Sequence, residues 1–196
     1  HFDRSNLDRH VSLKDGATLG VIPEARSKDP QHLAQLIEDE RISIWYSAPS
    51  ILSLLAQFGN LDRRTFPALR LMLFAGEVFA VKHLRALSRM LPHPRYFNLY
   101  GPTETNVCTF YEVPLPVPDE RTVPYPIGNV CSHLQGKVVT ESNEIVQRGD
   151  VGELGMTGRG VMQGKWALPE HTSRGFHRGT GGKPVSRTGR PVVEPP

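Results

Sequence analysis

Two stretches of this sequence pair a glycine with a carboxylate where an apolar run gives way to a loop: Ala75-Gly76-Glu77 and Tyr100-Gly101-Pro102-Thr103-Glu104. Glycine lets a ligand approach the backbone closely. In the second stretch Tyr100 offers an aromatic face to a planar base, Thr103 a hydroxyl to a phosphate oxygen, and Glu104 a carboxylate to Mg²⁺. Those groups together suit a nucleoside triphosphate. An ordinary strand-to-loop turn with a solvated glutamate uses the same residues, and side-chain chemistry alone favours that plainer reading. Other reactive types also read plainly. His32, His83 and His93 fall in or near helices as surface histidines, and His171 and His177 have no partners at metal-ligand spacing. Cys108 reads as a small liner rather than a nucleophile, because no histidine follows at motif spacing. Trp45 and Trp166 read as packing residues.

The elements that must carry the two loops alternate along the chain. Helical patterns are predicted over 30–40, with Pro30 in the first turn and Leu33, Leu36 and Ile37 on one face, and over 49–58 and 81–90. Short apolar runs at 42–47, 69–74 and 95–99 predict strands between them. Strands alternating with helices at this spacing predict a parallel sheet covered by helices on both faces, an α/β fold of flavodoxin-like type. Ligands of such sheets bind beyond the carboxyl ends of the strands, where both loops fall. The texture changes at 113–128, where Pro114, Pro116, Pro118, Pro124 and Pro126 exclude helix. Short strands follow at 134–140, 144–147 and 153–157, predicting a small β-barrel-like unit. The division expected is 1–115 α/β, 116–166 β, and 167–196 a poorly patterned tail with no assigned secondary structure.

Bulk composition excludes more than it selects. The 196 residues are 38% apolar with 18 Gly and 17 Pro, so many turns are expected. No apolar run approaches the roughly 20 residues that span a bilayer, so no membrane role is expected. Two cysteines make neither a disulfide framework nor a metal cluster, and a reducing cytoplasmic setting fits. The seven Lys/Arg from Arg159 onward lack aromatic interleaving or helical period, so they read as a solvated end rather than a nucleic-acid surface.

The run Asn98-Leu99-Tyr100-Gly101-Pro102-Thr103-Glu104 resembles the adenine-and-magnesium motif of the amino-acid adenylation family, the adenylate-forming enzymes that include nonribosomal peptide synthetase adenylation domains. Further resemblances lie in the family's order. They are Phe2-Asp3-Arg4-Ser5, Ala75-Gly76-Glu77, Pro126-Ile127-Gly128, Gly152-Glu153-Leu154, Gly158-x-Gly160-Val161-x-x-Gly164 and Pro169-Glu170-x-Thr172. The resemblance implies a two-step reaction: formation of an aminoacyl-adenylate from ATP with Mg²⁺, then loading onto the phosphopantetheine thiol of a peptidyl carrier protein. It implies an ATP site of Ala75, Gly76, Glu77, Asn98, Tyr100, Gly101 and Thr103, with Thr103 at the α-phosphate and Glu104 holding the metal, these two serving catalysis. It implies that Asp3 pairs with a substrate ammonium, and that Leu7, Tyr46, Leu73, Ala75, Leu99, Val107 and Cys108 line the side-chain pocket. That apolar set is most similar to stand-alone prolyl-adenylating carrier-protein ligases, so L-prolyl-AMP is the expected product.

The chain also departs from the pattern. The family's phosphate loop precedes Phe-Asp-x-Ser, and its mobile subdomain with a catalytic lysine follows this region, so the resemblance implies an internal fragment. Arg190 stands where the family has a ribose-binding aspartate, and a guanidinium cannot accept a hydrogen bond. Arg4 adds a cation to the apolar set, and Lys165 stands where an aromatic is usual. The rival reading is therefore a non-catalytic adenylation-like fragment that binds amino acid or adenosine weakly without turnover.

Overall fold

Asp29 and Pro30 start the first long helix. In the computed structural model, which describes residue 10 and residues 12–140, 142, 144–147, 149–168, 170, 172, 176–178 and 184–193, the Asp29 carboxylate accepts the backbone N–H groups of Gln31 and His32 (2.9 and 3.3 Å). Pro30 takes the first helical position, where a missing N–H costs nothing. This helix, α1 (Pro30–Asp39), turns Leu33, Ala34 and Ile37 inward. β1 (Ile44–Ser47), α2 (Pro49–Phe58), β2 (Leu71–Ala75), α3 (Val81–Met90) and β3 (Arg95–Tyr100) follow in strict alternation. The chain divides into two units, one holding residues to Leu99 with Tyr111–Ile127, the other Tyr100–Phe110 with residues from Gly128 onward.

In the first unit β1, β2 and β3 pair in parallel, in chain order. The register aligns Trp45 with Met72 and Met72 with Tyr96, and these three sit with Phe74 in one core with Leu52, Leu55, Leu84 and Leu87 of α2 and α3. Residues of the other parity are mixed, with Ala75 and Leu99 buried as well. Ile44 is exposed, and Tyr46, Leu71, Leu73 and Phe97 are half-buried. The α/β class with a parallel sheet stands as expected. The helices, expected on both faces, cover one among the described residues. The reason is topological: two successive crossovers in the same direction, each right-handed, put their helices on the same side.

The proline-rich stretch is held to the same unit by side chains. Arg85 donates from Nε and Nη2 to the Pro118 carbonyl (3.1 and 2.8 Å) and from Nη2 to the Arg121 carbonyl (2.6 Å). The Arg121 guanidinium lies 3.9 Å from the ring centre of Tyr125, whose ring stacks on Tyr111 at 5.7 Å. Prolines deny this stretch a backbone ladder, so side-chain donors take the place of one.

The second unit is antiparallel. The first residues of β4 (Thr109–Val113) pair with β5 (Asn129–Val130). β6 (Leu134–Val139), β7 (Val151–Gly158), β8 (Phe176–Arg178) and β9 (Pro184–Val193) form a four-stranded sheet in the order β6-β7-β9-β8. This is an open sheet rather than the barrel-like unit expected, because β6 and β8 stand at its two edges among the described residues. The strand expected at 144–147 reduces to a hairpin arm with a single bridge, Val139 to Ile145. The segment left unassigned from the sequence supplies β8 and the ten-residue β9. Glycine, proline and arginine break the apolar alternation of β9, and its pairing comes from β7 instead, with the Arg187 guanidinium 2.5–2.6 Å from Glu153 Oε2. Trp45 is buried, as expected, while Trp166 is 96% exposed among the described residues.

Tyr96 tests this core. Its ring is fully buried and its hydroxyl donates to the Leu91 carbonyl at 2.7 Å, joining β3 to the end of α3. Tyr96→Phe leaves that carbonyl without its donor and should lower unfolding stability by about 1–2 kcal/mol, read as a lower urea midpoint with an unchanged m-value.

Candidate functional site

The carboxyl ends of β1, β2 and β3 carry the first group of expected residues. Tyr46 and Leu73 are register partners, as are Ala75 and Leu99, and Leu73 and Ala75 are two apart on one strand. Alternation along a strand therefore puts all four on one face, the face opposite the helices. Asn98, one residue from Leu99, belongs to the other face, and its Nδ2 donates to the Pro126 carbonyl at 2.9 Å. That bond ties the end of β3 to Pro126-Ile127-Gly128, a segment whose Gly128 has φ +82°.

The loop after β2 turns at Gly76, whose φ of +96° favours glycine strongly. Phe74 and Phe79 close it from beneath in an edge-to-face contact, ring centres 4.9 Å apart. The Glu77 carboxylate is engaged nearby: Oε2 accepts the Ser50 N–H and Oε1 the Ser50 hydroxyl, both at 3.0 Å. Ser50 is in the first turn of α2, and the helix has no side-chain cap of its own at Ala48. An anion at a helix N-terminus satisfies orphan donors and the helix dipole together. The Glu77 side chain, expected at the nucleotide, is thus engaged in capping a helix. In the sequence, Ala48-Pro49-Ser50 offers no side-chain cap, and nothing local points to Glu77 as the acceptor.

Within the second unit, the loop from Tyr100 to Cys108 closes on itself. The Cys108 N–H donates to the Tyr100 carbonyl (2.8 Å) and the Thr105 N–H to the Pro102 carbonyl (3.1 Å). Asn106 has φ +55°, a conformation asparagine tolerates, and its Oδ1 accepts the Val107 N–H at 2.8 Å. Gly101 is required for closeness: a Cβ there would lie 1.6 Å from the Asn106 carbonyl oxygen. Thr105 and Cys108 are buried and Thr103 is exposed. Burial pushes the Cys108 thiol up from its ordinary range, against a thiolate nucleophile. Tyr100 and Val107 are half-buried.

Glu104 is partly exposed, and two contacts hold it. Its carbonyl accepts the Met162 N–H at 2.8 Å, and its Oε1 lies 3.1 Å from Lys165 Nζ. Among the described residues no three His, Cys, Asp or Glu gather as a metal cage. A lone carboxylate still fits Mg²⁺, which is held by one or two carboxylates plus substrate phosphates rather than by a protein cage. Lys165 was not an expected site residue. Only its departure from an aromatic marked it, and nothing local ties it to Glu104.

Asp3 and Leu7 lie outside the described residues, as do Arg4 and the side chain of Arg190. No helix among the described residues is long and apolar enough to cross a membrane.

Comparison with known proteins adds a family. The family model for AMP-binding enzymes matches residues 2–166. An L-proline–[L-prolyl-carrier protein] ligase of Pseudomonas fluorescens is 44% identical over 86% of the chain and 34% of its own length. One from Streptomyces coelicolor is 43% identical over 87% of the chain and 32% of its own length. The chain thus spans about a third of the length of these curated relatives. The crystal structure of CmiS6 superposes with a TM-score of 0.90 at 27% identity, covering 99% of this chain and 47% of that one.

The loop geometry yields a test. Gly101→Ala places a methyl against backbone that cannot yield without opening the turn. Exchange of the Cys108 amide with deuterium should accelerate at least about tenfold, while amides of β6 and β7 keep their rates.

Proposed function

This chain belongs to the AMP-binding enzyme family, and on that premise we propose that it serves an ATP-dependent ligase that activates proline and loads it on a carrier protein. The observation that carries the reading is the 43–44% identity to two proline-specific carrier-protein ligases over 86–87% of the chain. Since the chain covers about a third of those relatives, the activity is proposed of the full-length enzyme. In the first step a carboxylate oxygen of the amino acid attacks the α-phosphorus of ATP. The bond to pyrophosphate breaks and an aminoacyl-adenylate forms. In the second step a phosphopantetheine thiol of the carrier protein takes the acyl group and AMP leaves.

The residues divide by substrate. We assign the amino acid to Asp3, which pairs with its ammonium, and to the apolar surfaces of Leu7, Tyr46, Leu73, Ala75, Leu99, Val107 and Cys108. A compact apolar lining suits a small ring and demands no polar handle. We assign ATP to the backbone of Ala75, Gly76 and Glu77, to Asn98 and Gly101, to the Tyr100 ring against adenine, and to Thr103 at the α-phosphate. Glu104 would hold Mg²⁺. When bound, that ion neutralises phosphate charge as it builds up in the displacement. The self-closed loop supports this reading, because rate in such a reaction comes from fixed position and preset charge. We place the activity in the cytoplasm, where Cys108 and Cys131 stay reduced.

The test is amino-acid-dependent exchange of labelled pyrophosphate into ATP. The full-length enzyme should exchange with proline, and Glu104→Gln should lower kcat by about a hundredfold. A different amino acid supporting exchange where proline fails would refute the pocket assignment. The 196-residue chain alone is expected to bind without turnover, and exchange by it would refute that.

A further inference from the structure

The position of Lys165 is fixed from several sides. Its own N–H donates to Thr172 Oγ1 at 2.8 Å, and that hydroxyl donates in turn to the Leu168 carbonyl at 3.0 Å. Just before it, Gly164 lies so near Thr172 that an added Cβ would meet its Cγ2 at 3.1 Å. The Met162 N–H is bonded to the Glu104 carbonyl at 2.8 Å. The backbone around Lys165 is thus anchored both to Thr172 and to the residue its ammonium faces. The ammonium ends 3.1 Å from Glu104 Oε1, with the two side chains 38% and 26% exposed.

We infer that Lys165 is an internal competitor for the cation position on Glu104. Its ammonium takes Oε1, one of the two carboxylate oxygens, and sets a positive charge beside the position of a divalent ion, so the ion binds against that charge or displaces it. The inference rests on the metal role proposed for Glu104 and adds a residue that sets the affinity of that site. Displacement is feasible because a partly exposed ion pair is weak, contributing at most about fivefold to an equilibrium constant. The ammonium therefore lowers metal affinity without closing the site. An aromatic or apolar side chain at 165 would impose no such competition, and an arginine would preserve it.

The experiment is a Mn²⁺ titration of the ¹⁵N-labelled 196-residue chain, first alone and then with ATP. Paramagnetic broadening of the Thr103, Glu104 and Thr105 amides reports the ion at this carboxylate, whatever other acidic groups bind, and the same spectra report the fold of each variant. Lys165→Met should move the broadening midpoint to lower Mn²⁺ by about two- to fivefold. Lys165→Gln should do the same, Lys165→Arg should keep the wild-type midpoint, and Glu104→Gln should abolish the local broadening. Equal midpoints in wild type and Lys165→Met, with broadening that Glu104→Gln removes, overturn the competitor role and leave the metal role standing. An equal shift in Lys165→Arg and Lys165→Met also overturns it, since the charge would then not be the cause. No broadening of these amides in either protein, with or without ATP, overturns the metal role and the inference with it.

Discussion

Parallel pairing of β1, β2 and β3 decides where the useful side chains of the first unit go. With Tyr46 opposite Leu73 and Ala75 opposite Leu99, a one-residue slip of any strand would send its members of the set to the helix side. The helices protect that register from the other face. Trp45, Met72, Phe74 and Tyr96 are locked against α2 and α3, and a slip would exchange these large side chains for half-exposed ones. The buried core thus does more than stabilise. It fixes, through strand alternation, which residues face away from the helices.

Much of this organisation is legible in the chain. The three helices and three parallel strands follow from apolar periodicity, from Pro30 and Pro49 at helix starts, and from the regular spacing of elements. The face each strand residue occupies is not legible. Leu71-Met72-Leu73-Phe74 is continuously apolar, so no alternation distinguishes Met72 in the core from Leu73 on the other side. Nor is β9, whose glycine, prolines and arginines suggest no strand and whose pairing is lent by β7. Trp166 misleads for the opposite reason: its size suggests packing, and among the described residues it stays exposed.

The second unit shows the same division at closer range. The shape of the Tyr100–Cys108 loop is written locally, in Gly101, Thr105 and Asn106, and family motifs are short because such geometry needs few residues. The electrostatic setting of Glu104 is not local. It depends on Met162 and Lys165, which fold back from beyond β7. A motif can therefore report that a carboxylate is in place while saying nothing of the charge set against it.

The cap on α2 has a bearing on the order in which the chain folds. Its first turn relies on a carboxylate 27 residues later, beyond the whole of β2. Nucleating a helix is costly, and a helix lacking its own cap frays at its start. That end of α2 thus becomes firm only once β2 has docked and its loop has turned at Gly76. The loop is in turn steadied by the helix it caps, so the two mature together as one cooperative step.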